Sequence, residues 1–174
     1  LTSRGLRALI IVSILLMKLT PVSAQLLFPK EIRSVVEAEA KALDVPLALV
    51  WTIGHCESGF KKGVVNHNTN GTYDVGYFQL NSQYHEYFGW KFYRKEGFNP
   101  ENQIHNAIVA VRYMAHLYKQ FGSWYLVMLA YNVGPSFKDV SPESYQRAAT
   151  RYRMYLGLQF PDDRVLVARI AERL

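Results

Sequence analysis

The chain has 174 residues, with 20 basic and 14 acidic side chains, 14% aromatic residues and one cysteine. That length allows one domain with a sizeable core and is short for two of ordinary size. A lone cysteine excludes an internal disulfide framework, and a mild positive balance without a dense basic stripe speaks against nucleic acid as a partner.

In chain order, the first feature is a leader. Arg4 and Arg7 form a basic start, residues 8–17 (ALIIVSILLM) are an apolar run, and Val22-Ser23-Ala24 supplies a small-residue cleavage site. This layout reads as a secretory signal peptide, residues 1–24, leaving residues 25–174 as the domain. An uncleaved anchor is the alternative, but the run is short for a bilayer span. Export is therefore expected. The leader carries Arg4, Arg7 and Lys18 and no acid, so the domain beyond it is only mildly basic. Such a charge suits an anionic wall polymer or membrane surface without choosing between them.

Beyond the leader, helical spacing dominates. Ile32, Val35, Val36 and Leu43 mark a first amphipathic helix after Pro29. A second carries Leu47, Val50, Trp51 and Ile53, with Asp44 as its expected cap, Pro46 in its first turn and a stop at Ser58-Gly59. Residues 64–78 break the pattern, since Asn70-Gly71 between polar and β-branched runs signals a hairpin. Asn99-Pro100 opens a third helix that closes at Gly122, Ser123 caps a fourth that Gly134-Pro135 stops, and Ser141-Pro142 opens a fifth. Tyr145, Ala148, Ala149, Tyr152 and Leu156 lie along one face of that fifth helix, and residues 161–174 suggest a last short one. The fold class read from this is predominantly α (α+β), a helical domain with a small β-hairpin after the second helix.

Aromatic residues crowd the stretch from Tyr73 to Tyr93. Most aromatics are core residues, yet flat rings also stack on sugar faces, so carbohydrate is a candidate substrate.

The segment HCESGF (55–60) holds three reactive side chains in a row, His55, Cys56 and Glu57. Cys56 as a nucleophile needs a base, and His55 points about 100° away on a helix. A small buried thiol is the better reading. The histidines lack a repeated metal-ligand spacing, so no metal site is expected. Glu57 falls in the last turn of an apolar helix, where the negative end of the macrodipole opposes ionisation, and burial among rings acts in the same direction. A carboxylic acid kept protonated near neutral pH is what glycosidic cleavage asks of its general acid. From this segment alone, an exposed Glu57 pairing with Lys61 or Lys62 is an equal reading.

Three blocks in order extend the argument: Glu57-Ser58-Gly59-Phe60, then residues 74–82 (DVGYFQLNS), then residues 130–136 (AYNVGPS). Together, from about Leu27 to Arg153, they resemble the lytic transglycosylases of the lysozyme-like superfamily, and most of all its small single-domain members that accompany secretion and conjugation machines. The resemblance implies a lysozyme-like fold and a cut in peptidoglycan between N-acetylmuramic acid and N-acetylglucosamine. It assigns Glu57 as the catalytic residue and Gln79, Tyr131 and Asn132 to the saccharide site, with Ser58 positioning the substrate's N-acetyl group. Phe78 departs from the methionine common in the family and receives no role.

Asp74 is a second departure. Residues 68–82 also look like the hairpin of animal-type lysozymes, where a carboxylate follows the acid at the spacing of Asp74 from Glu57. Two chemistries thus compete. In one, Glu57 serves as acid then base and leaves a 1,6-anhydro end; in the other, Glu57 and Asp74 perform a retaining hydrolysis. The third block and the single cysteine favour the first, with Asp74 a possible catalytic residue or a turn-capping one. A silent peptidoglycan-binding component and a cysteine peptidase are the remaining alternatives. The expected partners are glycan strands, met in the periplasm or cell wall, and an envelope-spanning secretion or conjugation apparatus. No cofactor is expected, and the protein is expected to be a monomer.

Overall fold

The structure is a computed structural model that describes residues 28–137, 140–161, 163 and 168. The leader and nearly all of the tail segment 161–174 lie outside the described residues. Helix α1 spans Lys30–Leu43, with Ile32, Val36 and Ala40 buried at one-turn spacing. It ends where Asp44 turns left-handed (φ 55°) and its amide bonds to the Ala40 carbonyl. Asp44 was expected to cap the next helix; it closes the first one instead. Helix α2, Leu47–Ser58, starts behind Pro46 with no side-chain cap. Pro46 supplies its carbonyl to the Leu49 and Val50 amides and, lacking an N–H, leaves no donor of its own unpaired.

Helix α2 is buried nearly all round, with Ala48, Leu49, Val50, Thr52, Ile53 and Gly54 inside, the mark of a central helix. Gly54 has a reason: a Cβ there would lie 2.5 Å from the Phe60 ring. Gly59 ends α2 at φ 60°, its amide donating to the His55 carbonyl.

The expected hairpin is a three-stranded antiparallel sheet, β1 (Val65–His67), β2 (Tyr73–Val75) and β3 (Leu80–Asn81), in that order. Asp74 pairs with Asn66 on one side and Asn81 on the other. The aromatic stretch then forms a helical run that the sequence reading left unassigned: a 3-10 turn at Ser82–Tyr84, α3 at His85–Phe88 and a π-helical turn at Gly89–Tyr93. Its rings divide. Tyr77, Phe78, Phe88 and Phe92 are core, whereas Tyr73, Tyr84, Tyr87 and Trp90 are exposed.

Helix α4, Gln103–Phe121, begins three residues later than Asn99-Pro100 suggests, because Asn102 is the cap and accepts from the Ile104 and His105 amides. Its end at Gly122 is as expected. Helix α5, Trp124–Val133, is capped by Ser123 and stops at Gly134. Helix α6, Pro142–Gln159, is capped by Ser141. Ala148, Ala149 and Leu156 face the core as read from the sequence, but Tyr145 is half exposed. Helix α1 lies along α4, α5 pairs with α6, and α6 also packs on α2.

Two polar residues of α4 fasten the sheet to the helices. Asn106, fully buried, accepts from the Phe78 amide at 3.0 Å and donates to the Val75 and Pro100 carbonyls. Gln103 accepts from the Tyr77 amide at 2.9 Å. The turn they hold needs Gly76: its φ is 82°, and a Cβ would lie 2.5 Å from the Asn106 amide nitrogen. The segment that carries Gln79 is thereby fixed against the core.

Candidate active site

Glu57 sits one residue before the end of α2, and the αL turn at Gly59 stops the helix before a further turn can cover it. Its side chain is only 16% exposed. One carboxylate oxygen accepts a hydrogen bond from the Arg151 guanidinium of α6 at 2.5 Å, and Arg151 is itself 10% exposed. Neither Lys61 nor Lys62 is the partner. Burial pushes the Glu57 carboxyl above its ordinary value; Arg151 opposes this through charge and hydrogen bonding, Asp74 adds to it, and Arg147 opposes it weakly. Burial wins, so the site holds a carboxyl that gives up its proton reluctantly.

Tyr131, on α5, donates from its hydroxyl to the Phe78 carbonyl at 2.9 Å. Burial first, then the negative charge of Glu57, pushes its phenol well above the usual range. Tyr131 is therefore a neutral donor beside Glu57, tied to the sheet turn.

Asp74 belongs to the same neighbourhood, since its charge acts on both Glu57 and Tyr131. Its two oxygens are engaged by amides, one by Asn81 at 2.8 Å and the other by Asn68 at 3.0 Å. Asn68 and Asn81 also both reach the Thr72 hydroxyl, closing a polar knot on the sheet.

Ser58 and Gln79 are occupied with the frame. The Ser58 hydroxyl donates to the Tyr77 carbonyl at 2.8 Å and accepts from the Phe60 amide, which joins the end of α2 to the sheet turn. Gln79 adopts φ 49°, donates to the Gly76 and Val64 carbonyls, and accepts from Asn66 at 2.7 Å. Both residues shape the wall of the site by holding its backbone. Asn132 accepts from Arg147 at 3.4 Å.

Cys56 is half-buried, and burial pushes its thiol up, away from the thiolate a nucleophile needs. His55 stacks on Trp51 at 4.5 Å and so is held away from that thiol. Among the described residues, no three His, Cys, Asp or Glu side chains gather as metal ligands.

An open concavity of about 570 Å³ runs between α2 and α6 and is lined by Arg147 and Arg151, but by neither Glu57 nor Asp74. Shape alone does not mark the carboxylates; charge and burial do.

Arg151 is the residue that sequence reasoning missed. Ser144, Ala148, Arg151 and Tyr155 are all buried, and their spacing is that of one inward stripe. A charge on that stripe was the available signal, since a buried cation needs a buried partner.

The profile of the Transglycosylase SLT domain matches residues 34–153. Protein IpgF of Shigella flexneri is 35% identical over 119 residues, covering 66% of this chain and 74% of that protein. The invasion protein IagB of Salmonella typhimurium is 27% identical over 124 residues, covering 68% of this chain and 74% of its own.

Proposed function

Starting from a chain that belongs to the Transglycosylase SLT family, and is thus a lytic transglycosylase, we propose that Glu57 is its one acid–base group. The proposed cut lies between N-acetylmuramic acid and N-acetylglucosamine in peptidoglycan. Protonated Glu57 gives its proton to the leaving oxygen of the glycosidic bond while the muramyl N-acetyl oxygen attacks C1 and forms a cyclic oxazolinium. Glu57, now ionised, takes the proton of the 6-hydroxyl of the same sugar. That oxygen then attacks C1, the N-acetyl group is released, and a 1,6-anhydro ring results. One bond to C1 is exchanged for another at each step, the proton count on Glu57 is restored, and water is not consumed.

The observation that carries this reading is the sheltered place of Glu57 at the end of α2. Its side chain is 16% exposed, and burial outweighs the arginines beside it. Substrate-assisted attack asks for no second carboxylate. That suits Asp74, whose two oxygens already serve Asn68 and Asn81. In this reading Asp74 contributes charge towards the oxocarbenium-like transition state without bonding to it. Tyr131 and Asn132 line the saccharide site; Ser58 and Gln79 keep their place in it by holding backbone, Ser58 at the Tyr77 carbonyl and Gln79 at the Gly76 and Val64 carbonyls.

Mass spectrometry of muropeptides released from purified peptidoglycan by the domain tests the reaction. Products one water lighter than hydrolytic ones are expected. Reducing ends would instead make water the final nucleophile and move Asp74 beside Glu57 as nucleophile or stabiliser.

The proposed setting is the bacterial envelope, reached by the leader at residues 1–24, with domain and substrate meeting in the periplasm or cell wall. One relative is named an invasion protein, which fits a cutter that opens the wall for an apparatus crossing it.

A further inference from the structure

Two ionisable side chains, 16% and 10% exposed, meet at 2.5 Å between α2 and α6. Such a pair contributes little to stability as a rule, because desolvation offsets the attraction. Helix α6 has apolar means of holding its place, with Ala148, Ala149 and Leu156 buried. A charge on its inward stripe therefore calls for another explanation.

We propose that Arg151 is a positioning residue of the transglycosylase reaction, whose guanidinium fixes the orientation of the Glu57 carboxyl and partners it while it is ionised between the two proton transfers. The inference rests on the assignment of Glu57 as acid and base. The step it serves has an evident physical difficulty. Once the leaving oxygen has taken the proton, a carboxylate is left in a sheltered site, and a buried carboxylate without a partner is costly. Arg151 is placed to offset that cost, and it neither gains nor loses a proton itself. Its hydrogen bond from Nη1 to one carboxylate oxygen also limits how the carboxyl can turn, so the other oxygen returns to one place for the second transfer.

The charged and titratable groups that act on Glu57 are few. Helix α6 presents Arg151 and Arg147, β2 presents Asp74, and α5 presents Tyr131, whose phenol stays protonated. On α2 itself, Cys56 and His55 adjoin it. Arg147 is committed to Asn132 and to the Ser144 hydroxyl. Arg151 is the cation in contact with the carboxyl.

The test is Arg151→Gln, read as the pH profile of kcat/KM for release of muropeptides from purified peptidoglycan, with thermal unfolding as the check on folding. An adjacent cation lowers a carboxyl pKa, so its removal should move the alkaline limb up by about one pH unit or more. The rate at the optimum should fall about tenfold or more, with KM little changed. A folded R151Q enzyme whose alkaline limb stays in place overturns the proposal. Should R151Q not fold, Arg151→Lys replaces it. Lysine keeps the charge without the rigid guanidinium that sets the direction of the hydrogen bond, so the limb should stay put while kcat falls; wild-type kcat, or a displaced limb, overturns the proposal. The parallel Glu57→Gln variant separates the two levels. Activity retained there removes the acid–base assignment itself, whereas a dead E57Q beside an R151Q limb that stays in place removes only the role of Arg151.

Discussion

Two carboxyl groups, Glu57 at the end of α2 and Asp74 in the middle of β2, are near enough for the charge of Asp74 to act on Glu57, yet the regions that hold them differ. The helix end buries Glu57 and gives it a single charged partner from another helix. The sheet surrounds Asp74 with side-chain amides, one for each oxygen. A helix terminus in a hydrophobic core can shelter a carboxyl and leave it few donors, whereas a short sheet rich in asparagine solvates its carboxylate with protein groups. In the proposed function the same functional group transfers a proton in one place and supplies a fixed charge in the other. Environment, and not residue type, divides the roles.

The sharpest way to break this comparison is to neutralise each carboxylate in turn. Glu57→Gln should lower kcat by about a thousandfold or more, since general acid and base steps are both lost. Turbidity clearance of a peptidoglycan suspension by folded protein measures it, and retained clearance would end the assignment. The next largest effect concerns the frame. Gly76→Ala puts a Cβ 2.5 Å from the Asn106 amide at a φ of 82°, and it should cost about 2–4 kcal/mol of unfolding free energy. Denaturant unfolding reads this directly. A neutral outcome would show that the clamp between sheet and α4 yields easily.

Asp74→Asn comes third. An amide in place of the carboxylate turns one acceptor into a donor facing another donor, for a loss of about 1–3 kcal/mol in stability. Activity should stay within about tenfold of wild type, with 1,6-anhydro ends still the product. A loss as deep as that of E57Q would put both carboxylates on one footing. The pH profile sharpens the contrast further. Glu57 must be protonated to act first, so kcat/KM should fall as pH rises through its raised pKa, above the ordinary carboxylate range. Asp74 raises that pKa and Arg151 lowers it. Hence D74N should move the alkaline limb to lower pH, opposite in sign to the shift expected for R151Q. Smallest of all, Cys56→Ser should leave turnover unchanged within about twofold, because a half-buried thiol pushed towards its neutral form takes no part.

Much of the frame was legible before any coordinates. The stops at Gly59 and Gly122, the cap at Ser123 and the opening at Ser141-Pro142 were read correctly, since these signals are local and each residue serves its own helix end. Where local signals competed, the reading slipped. Asp44 can cap a following helix or close a preceding one, and its left-handed φ decides for closure. The run from Ser82 to Tyr93 contains three kinds of helical turn in quick succession, none long enough to show a period. Tyr145 matched the apolar spacing of α6 but lies in its first turn, where the helix has not yet met the core.

The site divides along the same line. The sequence by itself determined the helical domain, the position of Glu57 at a helix end, and the three blocks that bring Glu57, Gln79 and Tyr131 into one family pattern. These follow from spacing within short stretches, which a linear reading can follow. Only the tertiary structure decided that Glu57 meets Arg151 rather than a neighbouring lysine, that Gln79 and Ser58 hold backbone, and that both oxygens of Asp74 are taken. Those outcomes depend on contacts between residues as far apart as 57 and 151. Burial and charge act through space, and the chain order of two residues does not say whether they will share it.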